Sequence, residues 1–262
     1  MAIAATAQPR FEMGRVTART FSVIGHNLLT FAILSLIVAI PLLLMQFGLT
    51  RFSSRVLANG RIDFAALGVV VIAGVVYFLS VFLLQAGLIH GTVAYLNGKT
   101  ARVADCLSTG LAAMLQLLLL TILMMLGLFV GALLLIVPAF ILIVMWSVAV
   151  PACVTERTGV VGALRRSREL TRSHRWAIFG LMVAFGILNI AIALTFAVLT
   201  GTAFGATNVA AAAAATPLQT VASVVGSTIN AVIGATLVAS IYYELRVLKD
   251  GIGPEALASV FD

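Results

Sequence analysis

Residues 106–155 read CLSTGLAAMLQLLLLTILMMLGLFVGALLLIVPAFILIVMWSVAVPACVT, with no charged side chain between Asp105 and Glu156. As one helix this run would be about 75 Å long at 1.5 Å per residue. A bilayer's hydrocarbon core is about 30 Å thick. The run therefore predicts two membrane-crossing helices, over residues 111–135 and 139–154, with Val137-Pro138 marking the turn between them. A single long kinked helix is the alternative, but it would bury no second hairpin arm.

Working outward, four more apolar stretches have the length of a span. They cover residues 27–47, with Pro41 inside, and 64–89, with a helical tail towards Tyr95. The other two cover residues 176–199 and 218–243. Residues 200–216, which include the alanine run Ala210 to Ala215, read as a loop or a short surface helix. The expectation is one all-α, polytopic membrane bundle of about six spans over residues 1–262. Composition agrees. Of 262 residues, 62% are hydrophobic and 10% charged, and the mean hydropathy is +1.16. A soluble domain carries about 25% charged residues. Met1 to Arg10 do not form a secretory signal, because the apolar stretch is short and precedes the first positive charge.

The net charge of +7 lies between the spans, so phosphate headgroups, and not nucleic acid, are the expected partner. With the N-terminus inside, 13 basic residues fall in inside segments and three (Arg51, Arg55 and Arg61) in outside ones. Both termini should then be cytoplasmic.

The segment 158–175 carries Val160, Ala163, Leu164, Ser167, Leu170 and Thr171 at helical spacing, with Arg165, Arg166, Arg168, Arg172 and Arg175 on much of the remainder. A basic amphipathic helix ahead of a span should lie in the interface, its arginines against anionic lipid or a partner's acidic surface. Fixing topology alone is the other reading. Residues 11–24 and 100–110 hold equivalent places before the first and third spans. Thr100 and Thr158 are placed as helix N-caps. The order surface helix, span, span would then occur three times.

No catalytic, cofactor or metal constellation is visible. Cys106 and Cys153 have no CxxC or Cys/His neighbour and read as small apolar side chains. Gln46, Gln85, His90, Gln116, Asn189 and Asn230 are the larger polar groups in or near the spans. No charged residue lies near a span centre, which argues against ion-coupled pumps. An exporter of an amphipathic solute would need a cavity near Gln85, Gln116, Asn189 and Asn230. Small residues four apart (Ser223, Ser227, Ala231, Ala235 and Ala239) form a ridge on the last span, and Gly127 and Gly131 make a GxxxG pair. Both suit internal packing or a homodimer face.

Three places carry a family likeness: Gly98-Lys-Thr-Ala-Arg-Val-Ala-Asp105; Pro151, Glu156 and Gly159 with Ala163-Leu-Arg-Arg-Ser167 and Leu170-Thr171; and Tyr242-Tyr-Glu-Leu-Arg246. In order and spacing these resemble the bacterial membrane-domain family found fused to glycerophosphodiester phosphodiesterases, over roughly residues 98–180 and the last helix. The resemblance implies the membrane part only, with no phosphodiesterase activity carried over. The leading expectation is a non-enzymatic inner-membrane protein that organises or accompanies lipid-related machinery.

Overall fold

The structure, a computed structural model, describes residues 11–60, 62–134, 136–200 and 216–251. Every regular element among them is a helix: α1 (Met13–His26), α2 (Leu28–Asn59), α3 (Phe64–Leu96), α4 (Val103–Leu134), α5 (Ile136–Met145), α6 (Ala149–Glu156), α7 (Gly159–Thr171), α8 (Arg175–Thr200) and α9 (Pro217–Asp250). Six stretches are long and apolar enough to cross a membrane: α2, α3, α4, α5 with α6, α8 and α9. The chain is a multi-pass membrane helix bundle. Its outward surface carries Leu29, Ile72, Leu133, Ile187 and Val198 in the open, as hydrocarbon solvent requires.

α9 is the central element, with neighbours on α1, α2, α3, α6, α7 and α8. Its stretch from Ala239 to Leu245 is buried on every side, the mark of a helix enclosed by others. One core cluster brings Val16, Val144, Ala152, Leu170, Ile178, Leu237 and Ile241 together from six helices. A second joins α3, α4, α6 and α7 to Ala239. A third closes α1, α2, α3 and α4 around Phe31, Leu34 and Leu88.

α3 and α4 cross closely because small residues line the crossing. A Cβ on Gly110 would stand 2.8 Å from the carbonyl oxygen of Leu83. One on Gly87 would stand 3.3 Å from the carbonyl oxygen of Cys106. The pairs Gly87/Gly91 and Cys106/Gly110 are each four apart, a signal present in the sequence and not used there. Gly127 and Gly131 do the same for the next hairpin. An added Cβ on Gly127 would collide with the Trp146 ring, and one on Gly131 would stand 3.0 Å from Leu142. The GxxxG pair is thus spent on packing α4 against α5.

Several expected boundaries move. α2 continues past Phe47 to Asn59 and ends at Gly60, which takes a φ of 64°. Arg51 and Arg55 therefore sit on helix and not in a loop, and Arg55 pairs with Asp63. Asp63 caps α3 by accepting from the Ala65 and Ala66 amides. The Ala66 amide and the Arg55 guanidinium hold its carboxyl below the usual value. Val137 and Pro138 lie inside α5, so the reversal precedes them. Arg61 and residues 201–215 lie outside the described residues.

The repeated order of surface helix and two spans is present at two places of three. α1 is separate, closed by Asn27, whose backbone and side-chain nitrogens both donate to the Val23 carbonyl. α7 is separate too, closed by a turn at 172–174. Residues 100–110 form no surface helix of their own. α4 begins at Val103 and runs on unbroken into the span, because no cap or turn residue interrupts it. Thr100 is consequently not its cap. Thr158 precedes α7, but its side chain makes no capping bond.

The Gly110 contact is testable. Gly110→Ala forces a methyl onto the Leu83 backbone and should destabilise the detergent-solubilised protein by about 1–3 kcal/mol. Gly68→Ala, with nothing within 4 Å of the new Cβ, should be neutral or stabilising by up to about 1 kcal/mol. Thermal melts of the two variants side by side check this.

Candidate functional site

The polar chemistry gathers at one end of the bundle. Its hub is Tyr242-Tyr243-Glu244 on α9. Glu244 is 1% exposed. It accepts from the Arg15 guanidinium at 3.2 Å and from Arg19, which stand one turn apart on α1. Arg19 also lies over the Tyr243 ring, 5.6 Å from its centre, a cation–π placement. The Tyr243 hydroxyl donates to the Leu96 carbonyl at 3.1 Å, tying in the end of α3. The Tyr242 hydroxyl donates to Glu156 at 2.7 Å and accepts from Thr155 at 2.8 Å, tying in α6. Glu244 lies one residue past the expected end of the last span at 243. It is the buried anchor of α1.

The arginines of α7 divide into two groups. Arg166 points inward. It pairs with Glu156 at 3.0 Å and with Asp250. Burial acts to lower its pKa, and its bonds to Glu156 and Asp250 outweigh that, so the value stands above the ordinary arginine one. This corrects its placement among lipid-facing groups. Arg175 opens α8 half-buried, and its Nε atom is enclosed without a hydrogen-bond partner among the described residues. Arg165, Arg168 and Arg172 are exposed, and none forms an ion pair among the described residues. At 100° per residue they share one face with Val161, 73% exposed. Trp176, 84% exposed, follows at the start of α8. Arginines beside an exposed aromatic are what an interfacial surface carries.

The opposite face of α7 packs into the bundle, against α4, α5, α6 and α9. Ala163, Ser167, Leu170 and Thr171 are buried. Ser167 Oγ donates to the Met145 carbonyl at 2.8 Å. That carbonyl is loose because the fourth span is broken. α5 ends at Met145 and α6 starts at Ala149, with a turn at Trp146–Val148. Irregular backbone at membrane depth needs partners from the protein, and α7 supplies one. The small polar residues of α7 are thus explained by the break in the span ahead of it.

Beside the break lies a cavity of about 570 Å³ between α2, α3, α8 and α9. Ser147, from the turn, lines it together with Gln85, Asn230, Ser227 and Thr228. Of the four polar groups expected around a solute path, Gln85 and Asn230 meet here. Asn189 instead donates to its own helix at the Phe185 carbonyl, 2.8 Å away, and neither Asn189 nor Gln116 lines the cavity. The small-residue ridge of α9 is divided as well. Ser223 donates to Gln46 of α2, Ser227, Ala231 and Ala235 line the cavity, and Ala239 is buried in the core. Ser223, Ser227 and Ala231 are exposed, so only the Ala239 end of the ridge is enclosed by the protein's own helices.

A family model matches residues 46–245. The chain belongs to the family described as Domain of unknown function (DUF7847). The matched stretch takes in the broken span, α7, Glu244 and the cavity residues except Val38 and Leu42, while Arg15 and Arg19 precede it. No curated protein and no solved structure matches the chain.

The two groups of arginine should respond differently to neutralisation. Arg166→Gln leaves Glu156 and Asp250 without their guanidinium and should cost about 2–3 kcal/mol. Arg168→Gln should stay within about 0.5 kcal/mol of the parent. Thermal melts in detergent distinguish them.

Proposed function

We propose that this protein is a non-enzymatic inner-membrane component that holds anionic lipid at its basic end and there accompanies lipid-related machinery. The observation that carries this reading is the exposed face Arg165, Arg168 and Arg172, left without carboxylate partners among the described residues while Arg166 is internally paired. A phosphate-bearing headgroup is the complement of such a face. Val161 and Trp176, exposed beside it, suit the headgroup boundary. The resemblance of residues 98–180 and the last helix to membrane domains fused to glycerophosphodiester phosphodiesterases supports a lipid setting. No group on this face is arranged for acid–base or nucleophilic work.

The distribution of charge supports a cytoplasmic basic end, and the resemblance to a bacterial membrane-domain family supports a bacterial inner membrane. Lys99, Arg102, Arg157, Lys249 and the arginines of α1 and α7 gather there, joined by the Tyr242, Tyr243 and Glu244 bonds. Arg51 and Arg55 stand at the far end.

Two measurements test this. Replacing Arg165, Arg168 and Arg172 together with Gln should weaken retention of phosphatidylglycerol by the purified protein at least several-fold, with insertion and thermal midpoint unchanged. Unaltered retention in lipid mass spectrometry would refute the lipid role. For orientation, both native cysteines are buried, so single reporters can be read. In intact cells an impermeant maleimide should label Ala58→Cys and leave Glu169→Cys untouched. The reverse pattern would invert the topology.

A further inference from the structure

The cavity beside the broken span has features that packing does not explain. Its depth follows from helix rise. Glu156, Leu96 and Tyr243 lie at one level, joined through the hydroxyls of Tyr242 and Tyr243. Ser147 precedes Glu156 by nine residues, Gln85 precedes Leu96 by eleven, and Asn230 precedes Tyr243 by thirteen. At 1.5 Å each, these are depths of about 14, 16 and 20 Å. With that polar layer taken as one edge of a hydrocarbon core about 30 Å thick, the midplane lies about 15 Å in. Three polar side chains from three different elements therefore reach one cavity near mid-membrane.

Two of them have no partner. Among the described residues the side-chain amides of Gln85 and Asn230 make no hydrogen bond, and the enclosed Thr228 hydroxyl has none either. An amide left unbonded in an apolar medium costs several kcal/mol. By contrast Asn27, Asn97 and Asn189 each donate to a backbone carbonyl one turn back. Gln85 and Asn230 are kept free of such a bond, at a depth where water is scarce.

The rest of the lining states what would satisfy them. Apart from Tyr77 it is otherwise apolar, with Val38, Leu42, Val81, Leu84, Phe185 and Leu237 prominent, and it holds no charged residue. From Ser227 to Ile241 the cavity follows α9 for fourteen residues, about 21 Å. Its volume falls in the range of small-molecule sites, about 300–1,000 Å³. A charged group at this depth would meet no counter-charge, and such burial is costly.

We propose that this cavity is a binding site for a neutral, single-chain amphipathic lipid, whose hydroxyl or carbonyl group bonds Gln85 and Asn230 while its chain lies along α9. The site is separate from the arginine face of α7 and does not depend on the role proposed for it. Ser147 and Thr228 extend the polar spot, and the break between α5 and α6 is what brings Ser147 to the wall.

The test uses the full chain in phosphatidylethanolamine–phosphatidylglycerol nanodiscs with two diazirine-bearing probes of the same chain. One ends in a hydroxyl, the other in a sulfonate. The hydroxyl probe should label residues of the cavity wall at least fivefold more than the sulfonate probe, and an unlabelled long-chain alcohol should compete. Gln85→Leu with Asn230→Leu should lower that labelling at least fivefold. Because the double variant alters two half-buried positions, Ala231→Phe, which fills the cavity and leaves both amides in place, should lower it as well. Equal labelling by both probes, no labelling of the wall, or labelling that survives both variants overturns the proposal. The Arg165, Arg168 and Arg172 substitutions should leave it unchanged.

Discussion

A carboxylate 1% exposed at the end of a membrane helix is stable only if cations reach it, and Glu244 has two of them. Removing an ion from water costs several kcal/mol, recovered only with good geometry and further bonds. The helix bearing Glu244 is the one that most of the others touch. Pairing with Arg15 and Arg19 therefore fixes α1 against the hub of the bundle. Tyr242 and Tyr243, the preceding two residues, bind the ends of α6 and α3 in the same layer. One short stretch of α9 thus holds together the polar end of the molecule, while the remainder is packed by small residues and apolar contact.

That second mode follows from the solvent. Between helices in lipid there is little hydrophobic driving force, so close contact decides association. Gly110 against Leu83 and Gly127 against Trp146 show it. The same small residues could have served contact between copies of the chain, and periodicity cannot separate the two uses. The partners of Gly127, Gly131 and Ala239 all turn out to be in the chain itself.

The broken fourth span links the surface helix to the interior. Its interruption frees the Met145 carbonyl, which Ser167 of α7 satisfies. It also places Ser147 on the wall of the mid-membrane cavity. One face of α7 therefore completes the core while the other presents arginine outward, so its amphipathic pattern answers to protein on one side and to the membrane boundary on the other.

The sequence by itself determined the number of spans, the all-helical class, the separate helices α1 and α7 and the basic end. All of these rest on the length of apolar runs and the periodicity of charge, which are local properties. The break at Trp146–Val148 was not legible, because a lone serine between two apolar residues carries no turn signal and the bond freed at Met145 is made good from α7. Nor was the division of the arginines, since Arg165, Arg166 and Arg168 look alike until the carboxylates of Glu156 and Asp250 are placed in space. The role of Glu244, the convergence of Gln85 with Asn230 and the separation of Asn189 from them were likewise decided only by tertiary structure. Each depends on which helices are neighbours at a given depth, and contacts between residues as far apart as Arg15 and Glu244 leave no periodic trace in the chain.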